Sequence, residues 1–278
     1  MQDPFAYCAE LVRAADRDRY LAALFAPAPH RGALHALYAF NIEVARVREA
    51  ARQALAGEIR LQWWSDVVRG ERAGEAGANP VAAALLATVE RHGLAAGTLL
   101  DLIDARRFDL YGEPMATIAD LETYSRRTSS ALFALAAQIL TGAGHVTVTA
   151  PAGRAYAIAA LLRAFALHAA RRQLYVSIEL LGRYQVQTED VFAGRASAGL
   201  DAALAELRTL ARGDLEAVRA CITALPSAAL PALLPVATVR PVLDRLARSK
   251  AFSPVDIAPW RRQWLIWRAA RDPARIAG

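Results

Sequence analysis

The sequence predicts an all-α protein with one domain spanning residues 1–278, and three observations carry that expectation. Apolar residues recur at helical spacing over most of the chain. Helix-opening residues (Asp3 before Pro4, Asn79 before Pro80, Thr117 with Asp120 three positions on) stand where the periodic stretches begin. The one stretch with strand character, TGAGHVTVTAP at 141–151, is too short to build a sheet alone. No composition shift or internal repeat marks a boundary.

Taken in order, the first helix is expected from Pro4 to about Phe25, where Pro27 and Pro29 end it. A long helix follows over 31–55, with Leu34, Leu37, Tyr38, Ile42 and Ala45 at helical spacing. Beyond Gly57 comes the helix carrying Trp63 and Trp64, then a Gly/Ala/Glu-rich loop at 70–80. Helices are expected at 80–92, 95–111 and 117–140. The stretch 141–151 reads as a loop into a long helix over 152–181. A short turn at 190–194 precedes helices at 198–224 and 227–248, the latter bent or interrupted by Pro231, Pro235 and Pro241. A Trp-rich helix over 257–271 closes the pattern.

Composition narrows the function. The chain is 55% hydrophobic and 22% charged, which suits a folded core and not a disordered polymer. No apolar run reaches the roughly 18 residues of a membrane span. The first residues carry charge throughout and have no apolar core, so no secretory leader is expected and the chain is placed in the cytoplasm. Cys8 and Cys221 lack any pairing pattern and read as small buried residues in a reducing compartment. The net charge of +6 rests almost wholly on arginine, Lys250 being the only lysine. No zinc spacing, aromatic RNA-binding signature or long basic tract is present, and nucleic acid is not an expected partner.

Two segments carry a more specific pattern. Tyr38-Ala39-Phe40 leads into Asn41-Ile42-Glu43-Val44-Ala45 and on to Glu49, and Gly153-x-Ala155 leads into Arg163-Ala164-x-x-x-His168. These resemble the two signatures of the squalene/phytoene synthase family, in which each helix carries two aspartates four residues apart. Ala45, Glu49, Ala164 and His168 stand at the aspartate positions, so one carboxylate of four remains. The departures agree with a metal-ligand-poor branch of that family, which includes a mitochondrial respiratory complex I assembly factor. So do Ile59-Arg60-x-Gln62-Trp63-Trp64, Asn79-Pro80-Val81-Ala82, Leu121-Glu122-x-Tyr124 with Thr128-Ser129-Ser130, and Arg171-Arg172. The resemblance covers about Tyr7 to Arg268.

The resemblance implies a single antiparallel helical bundle of the isoprenoid synthase fold, with the two signature helices facing each other across a central cavity. Active members bind a prenyl diphosphate through Mg²⁺, a small hydrated cation held by carboxylates and substrate phosphates. Alanine supplies no ligand, and neutral imidazole suits softer metals. Ala157 and Ala160 replace polar residues usual in the second signature, and Tyr175-Val176-Ser177 replaces Tyr-Leu-Pro, which implies a drier cavity. No cofactor is expected on this reading. The implied function is a non-catalytic scaffold or lipid-binding protein acting in respiratory complex I assembly. Its partners would be a hydrophobic or prenyl-like ligand and a respiratory-complex subunit, met peripherally at the inner membrane. The alternative is a Mg²⁺-dependent condensing prenyltransferase whose rebuilt metal site includes Glu43 and Glu49.

Tyr38, Phe40, Glu43, Tyr124, Arg163 and His168 are the ligand-binding positions by resemblance. Arg163 either grips an anionic head group or pairs with Glu43 or Glu49. Tyr124 either faces the reacting cation or is a buried tyrosine bonded to a neighbour. Asp101, Asp104 and Asp109 read as a solvated face rather than a displaced metal site. The five histidines show no paired metal spacing, and Ser129 and Ser130 have no nucleophile elbow. Trp260, Trp264 and Trp267 share a helical face beside Arg261, Arg262 and Arg268, the composition of either a core anchor or an interfacial helix.

Overall fold

Side-chain oxygens of Asp3, Asn79, Thr117 and Ser197 cap the first turns of four helices in the computed structural model, which describes residues 3–51 and 53–278. Each cap satisfies backbone N–H groups that an isolated helix start leaves unpaired. Thr117 and Asp120 form the reciprocal capping box that the sequence suggests.

The N-terminal half contains α1 (Pro4–Ala15), α2 (Arg17–Ala23), α3 (Ala28–Ala45), α4 (Val47–Ala50), α5 (Ala54–Arg69), α6 (Ala73–Ala76), α7 (Pro80–His92) and α8 (Ala96–Arg107). Next, α9 (Ile118–Ser125) runs through a π-helical stretch, Arg126–Ser130, into α10 (Ala131–Thr141). The C-terminal half contains α11 (Val146–Arg163), α12 (Phe165–Ala170), α13 (Ile178–Arg183), α14 (Thr188–Phe192), α15 (Ala198–Cys221), α16 (Leu230–Leu233), α17 (Val239–Arg248) and α18 (Pro259–Arg271). No strand occurs among the described residues, so the all-α expectation holds.

Several expected boundaries move. The helix expected from Pro4 to Phe25 breaks at Asp16, whose backbone leaves helical geometry and whose carboxylate accepts the Arg19 N–H to start α2. The long helix over 31–55 stops at Ala45, and Arg46 (φ −90°, ψ −1°) separates it from α4. The expected loop at 141–151 is instead largely the start of α11. Gly142, at φ 78°, closes α10, and His145 precedes Val146 in the left-handed region. The helix expected over 152–181 is interrupted at Ala164 (φ −90°, ψ 5°) and ends at Ala170. The turn at 190–194 is mostly occupied by α14, and the proline-rich stretch before α17 is a chain of short helical turns around α16.

Buried apolar side chains form two clusters. The first gathers residues of α1, α3, α5, α7 and α8, Leu34, Leu61, Leu85 and Leu99 among them. The second gathers α11, α15, α17 and α18 with the segment around Leu174 and Val176. α10 serves both, sending Leu132, Leu135 and Ala136 into the first and Phe133 into the second. Gly153 explains how closely α11 approaches: a Cβ there would lie 2.2 Å from Ser130 Cα, so only hydrogen fits against the π-helical stretch. The chain ends are tied together by Arg262 of α18, which grips Asp18 of α2 through two donors, Nε to Oδ1 at 3.0 Å and Nη2 to Oδ2.

Candidate functional site

Both signatures lie on helices of the bundle, and both contain the one-residue interruption just described. Ala45 ends α3 while Glu49 lies on α4, and Ala164 separates α11 from α12, which carries His168. The pairs expected to share a continuous helical face therefore straddle a break in each case.

The two signature helices meet largely through intermediaries. α10 packs against both, and Arg19 of α2 fills the seam between them. Its guanidinium lies 5.7 Å from the ring centroid of Tyr38 on α3, 4.9 Å from Tyr156 on α11 and 5.9 Å from Phe133 on α10. Asp16 accepts from Arg19 Nη1 at 2.5 Å, and Arg19 Nε is buried without a protein partner. A protein cation in a cage of aromatic faces is stabilised by ring quadrupoles as well as by its carboxylate. Buried charge and two tyrosines occupy the seam. Two small pockets flank α11, and neither is lined by a residue of the first signature helix. One of about 10 Å³ is lined by residues including Leu121, Phe165, His168 and Tyr175, the other of about 20 Å³ by residues including Tyr156, Arg163 and Val242. Volumes of that order suit about one water molecule each.

A second buried polar group adjoins the end of the second signature. Asp109 accepts hydrogen bonds from Tyr175 Oη (2.6 Å), Tyr124 Oη (2.9 Å) and Arg106 Nη1 (3.2 Å), and Arg106 also donates to Tyr124 Oη at 2.6 Å. Gln173 donates to the Asp109 carbonyl at 2.8 Å. Burial pushes the Tyr124 and Tyr175 hydroxyls well above the ordinary phenol value, so both stay protonated donors. His168 packs at a tilt against Tyr175, with ring centroids 4.7 Å apart, and desolvation lowers its pKa, leaving a neutral imidazole at neutral pH.

Each position named from the sequence has a definite place. Tyr38 is buried against Arg19, whereas Phe40 turns the other way and meets Trp64 edge-on at 5.2 Å. Glu43 lies near Cys8 of α1, whose thiol is pushed up to about 12 by burial and then by the charges of Asp3 and Glu43. Glu49 accepts from Arg171 Nη1 at 3.1 Å, which joins the end of the first signature to the residues after the second. Arg163 pairs with neither glutamate but with Asp256 at 3.7 Å. Tyr124 is bonded to Asp109 and Arg106. Asp101 and Asp104 do face solvent and pair with Arg127, but Asp109 does not, contrary to the solvated reading. Trp64 is a core anchor, while Trp260, Trp264 and Trp267 are exposed.

These residues do not fit a Mg²⁺ cluster. Ala45 and Ala164 have no donor, His168 is neutral and packed against Tyr175, and the Glu49 carboxylate is engaged by an arginine. Among the described residues, no three His, Cys, Asp or Glu side chains converge as a metal-binding group. The sequence reading missed Arg19 and the burial of Asp109. A usable signal existed for the first: four alternating charges, Asp16-Arg17-Asp18-Arg19, interrupt an apolar stretch at a residue suited to capping.

Comparison with known proteins agrees with this frame. The family described as squalene/phytoene synthase matches residues 12–268. "NADH dehydrogenase (ubiquinone) complex I, assembly factor 6" of Rattus norvegicus is 30% identical over 254 residues, covering 88% of this chain and 74% of that protein. The human protein of the same name is 29% identical over 250 residues, covering 87% of this chain and 73% of its own length. A dehydrosqualene synthase solved with a ligand superposes with a TM-score of 0.81 at 19% identity, over 97% of this chain and 96% of that one. The squalene synthase HpnC from Alicyclobacillus acidocaldarius superposes with a TM-score of 0.78 at 22% identity, over 91% and 95% of the two chains. With the family's pattern matching nearly its whole length and its helical bundle in agreement, this chain belongs to the squalene/phytoene synthase family.

Proposed function

We propose that this chain is a catalytically silent member of its family and acts as a scaffold in the assembly of respiratory complex I. The observation that carries the reading is the fate of the one surviving signature carboxylate: Glu49 is bonded to Arg171 and belongs to no convergent group of three His, Cys, Asp or Glu side chains among the described residues. The likeness to assembly factors supports the process. The protein then works without Mg²⁺, and its partners are subunits of the complex. No described helix is long and apolar enough to cross a membrane.

The condensing-enzyme alternative needs Glu43 and Glu49 in one metal site. Glu43 lies on the α1 side near Cys8, and Glu49 is committed to Arg171, which counts against it. Gene deletion followed by measurement of complex I assembly and terpenoid content separates the two readings. Loss of assembled complex I, restored by the parent and by Glu49→Gln, with squalene and phytoene unchanged, is the expected result. Lost terpenoid with intact complex I would establish the enzyme instead. In the purified protein, Mg²⁺ with a prenyl diphosphate should leave the melting temperature unchanged.

A further inference from the structure

Charge is distributed unevenly along this chain. Residues 239–278 contain nine basic and three acidic side chains, a net +6 that equals the net charge of the whole protein. Residues 1–238 balance at 24 of each sign. The excess is concentrated on α17, α18 and the residues around them.

There it lines a groove of about 360 Å³ whose walls include Arg245 and Arg248 of α17 and Arg261 and Arg268 of α18. Asp244 is the only acidic side chain among its lining residues, and it pairs with Arg212 at 3.0 Å. None of those four arginines has a carboxylate within 4.0 Å among the described residues. Elsewhere the usual fate of an arginine here is an ion pair, as with Arg154, Arg183 and Arg262.

The groove borders an aromatic stripe. Ile266 and Ala269 are buried and Arg262 holds Asp18, which fixes the rotation of α18 about its axis. Helical spacing then puts Trp260, Trp264, Trp267 and Arg271 on the opposite face. The three indoles are 70%, 45% and 43% exposed. Arg268 lies 4.2 Å over Trp264 and Arg271 4.1 Å over Trp267, so the stripe and the cationic wall form one surface.

We infer that this surface docks the protein on an anionic phospholipid bilayer, with phosphate head groups in the arginine groove and the indoles at head-group depth. Guanidinium forks match phosphate oxygens, and tryptophan favours the membrane–water interface. Nucleic acid is the less suited polyanion, because stacking of bases needs open ring faces and two of the three indoles already have one face covered by a guanidinium. The inference rests on this surface alone and is independent of the assembly role.

The test is co-sedimentation of the full chain with phosphatidylcholine vesicles made with and without phosphatidylglycerol, together with tryptophan emission. Binding should require the anionic lipid, weaken with added salt, and shift the emission to the blue. Arg261→Gln/Arg268→Gln should weaken binding roughly fivefold per arginine. Trp260→Ser/Trp264→Ser should weaken it further and reduce the shift. Trp260, Arg261 and Trp264 are exposed and Arg268 is half-buried, and unchanged thermal melts would establish that the variants are folded. Equal binding to neutral vesicles, or undiminished binding by the arginine variant, would overturn the proposal. So would a duplex oligonucleotide held as tightly as the vesicles and unaffected by the tryptophan substitutions. A negative result here leaves the gene-deletion test of complex I assembly untouched.

Discussion

Arginine meets aromatic rings twice in this molecule, at its centre and on its surface. In the seam between the signature helices, Arg19 is enclosed by Tyr38, Phe133 and Tyr156, with Asp16 as its counter-charge. On α18, Arg268 and Arg271 lie over Trp264 and Trp267 with their charge open to solvent and no carboxylate near. The chemistry of the contact is the same and its consequence differs with surroundings. A buried cation must have its partners built in, because leaving it unpaired there costs several kcal/mol. An exposed one is hydrated and stays available to an incoming anion. The first region is frozen into the fold, and the second is held ready for something outside it.

The comparison breaks most severely at Asp109. Replacing it by alanine strands the Arg106 charge and two tyrosine hydroxyls in the interior, and a loss of about 3–5 kcal/mol is expected in urea unfolding. A loss under about 1 kcal/mol would mean that the buried network relaxes without it. Next in size is Gly153→Ala, where the new methyl meets Ser130 backbone at 2.2 Å. Overpacking of this kind costs about 1–3 kcal/mol, and because the obstacle is backbone the upper end is expected.

A smaller effect concerns pH. Burial lowers the pKa values of His35 and His168 below the ordinary 6.5, so both stay neutral in the folded protein where the unfolded chain would take up protons. Arg31 facing His35 lowers it further. Asp109 and Glu49 oppose the shift of His168, while Arg171 adds to it. Their contribution is therefore complete above 6.5 and is lost as pH falls below that value toward the lowered folded ones. The melting temperature should decline from about pH 7.5 to about pH 5.5, and His35→Phe/His168→Phe should flatten the decline. An equally steep decline in the double variant would assign the effect to other groups. The smallest effect belongs to the surface: Arg261→Gln/Arg268→Gln should change stability by less than about 0.5 kcal/mol, in contrast with the interior substitutions.

Much of this protein was legible from local pattern. Helical periodicity, the caps at Asn79 and Thr117 and the proline stops need only a few neighbouring residues, and they placed most helices within a few positions of their observed ends. The lost carboxylates were readable for the same reason, since alanine at 45 and 164 lacks a donor in any environment. The helix breaks at Arg46 and Ala164 were not, because no proline or glycine marks either position. Which charge meets which was decided only by packing. Arg171 joins Glu49 across 122 residues and Arg262 joins Asp18 across 244, where spacing rules have no reach. Asp109 looked like its exposed neighbours Asp101 and Asp104 until Tyr124, Tyr175 and Arg106 closed around it. The three tryptophans of α18 fit a core or a surface equally well by sequence. The tie between Arg262 and Asp18 turns them outward, because a helix with one face anchored by a buried ion pair must present the opposite face to solvent.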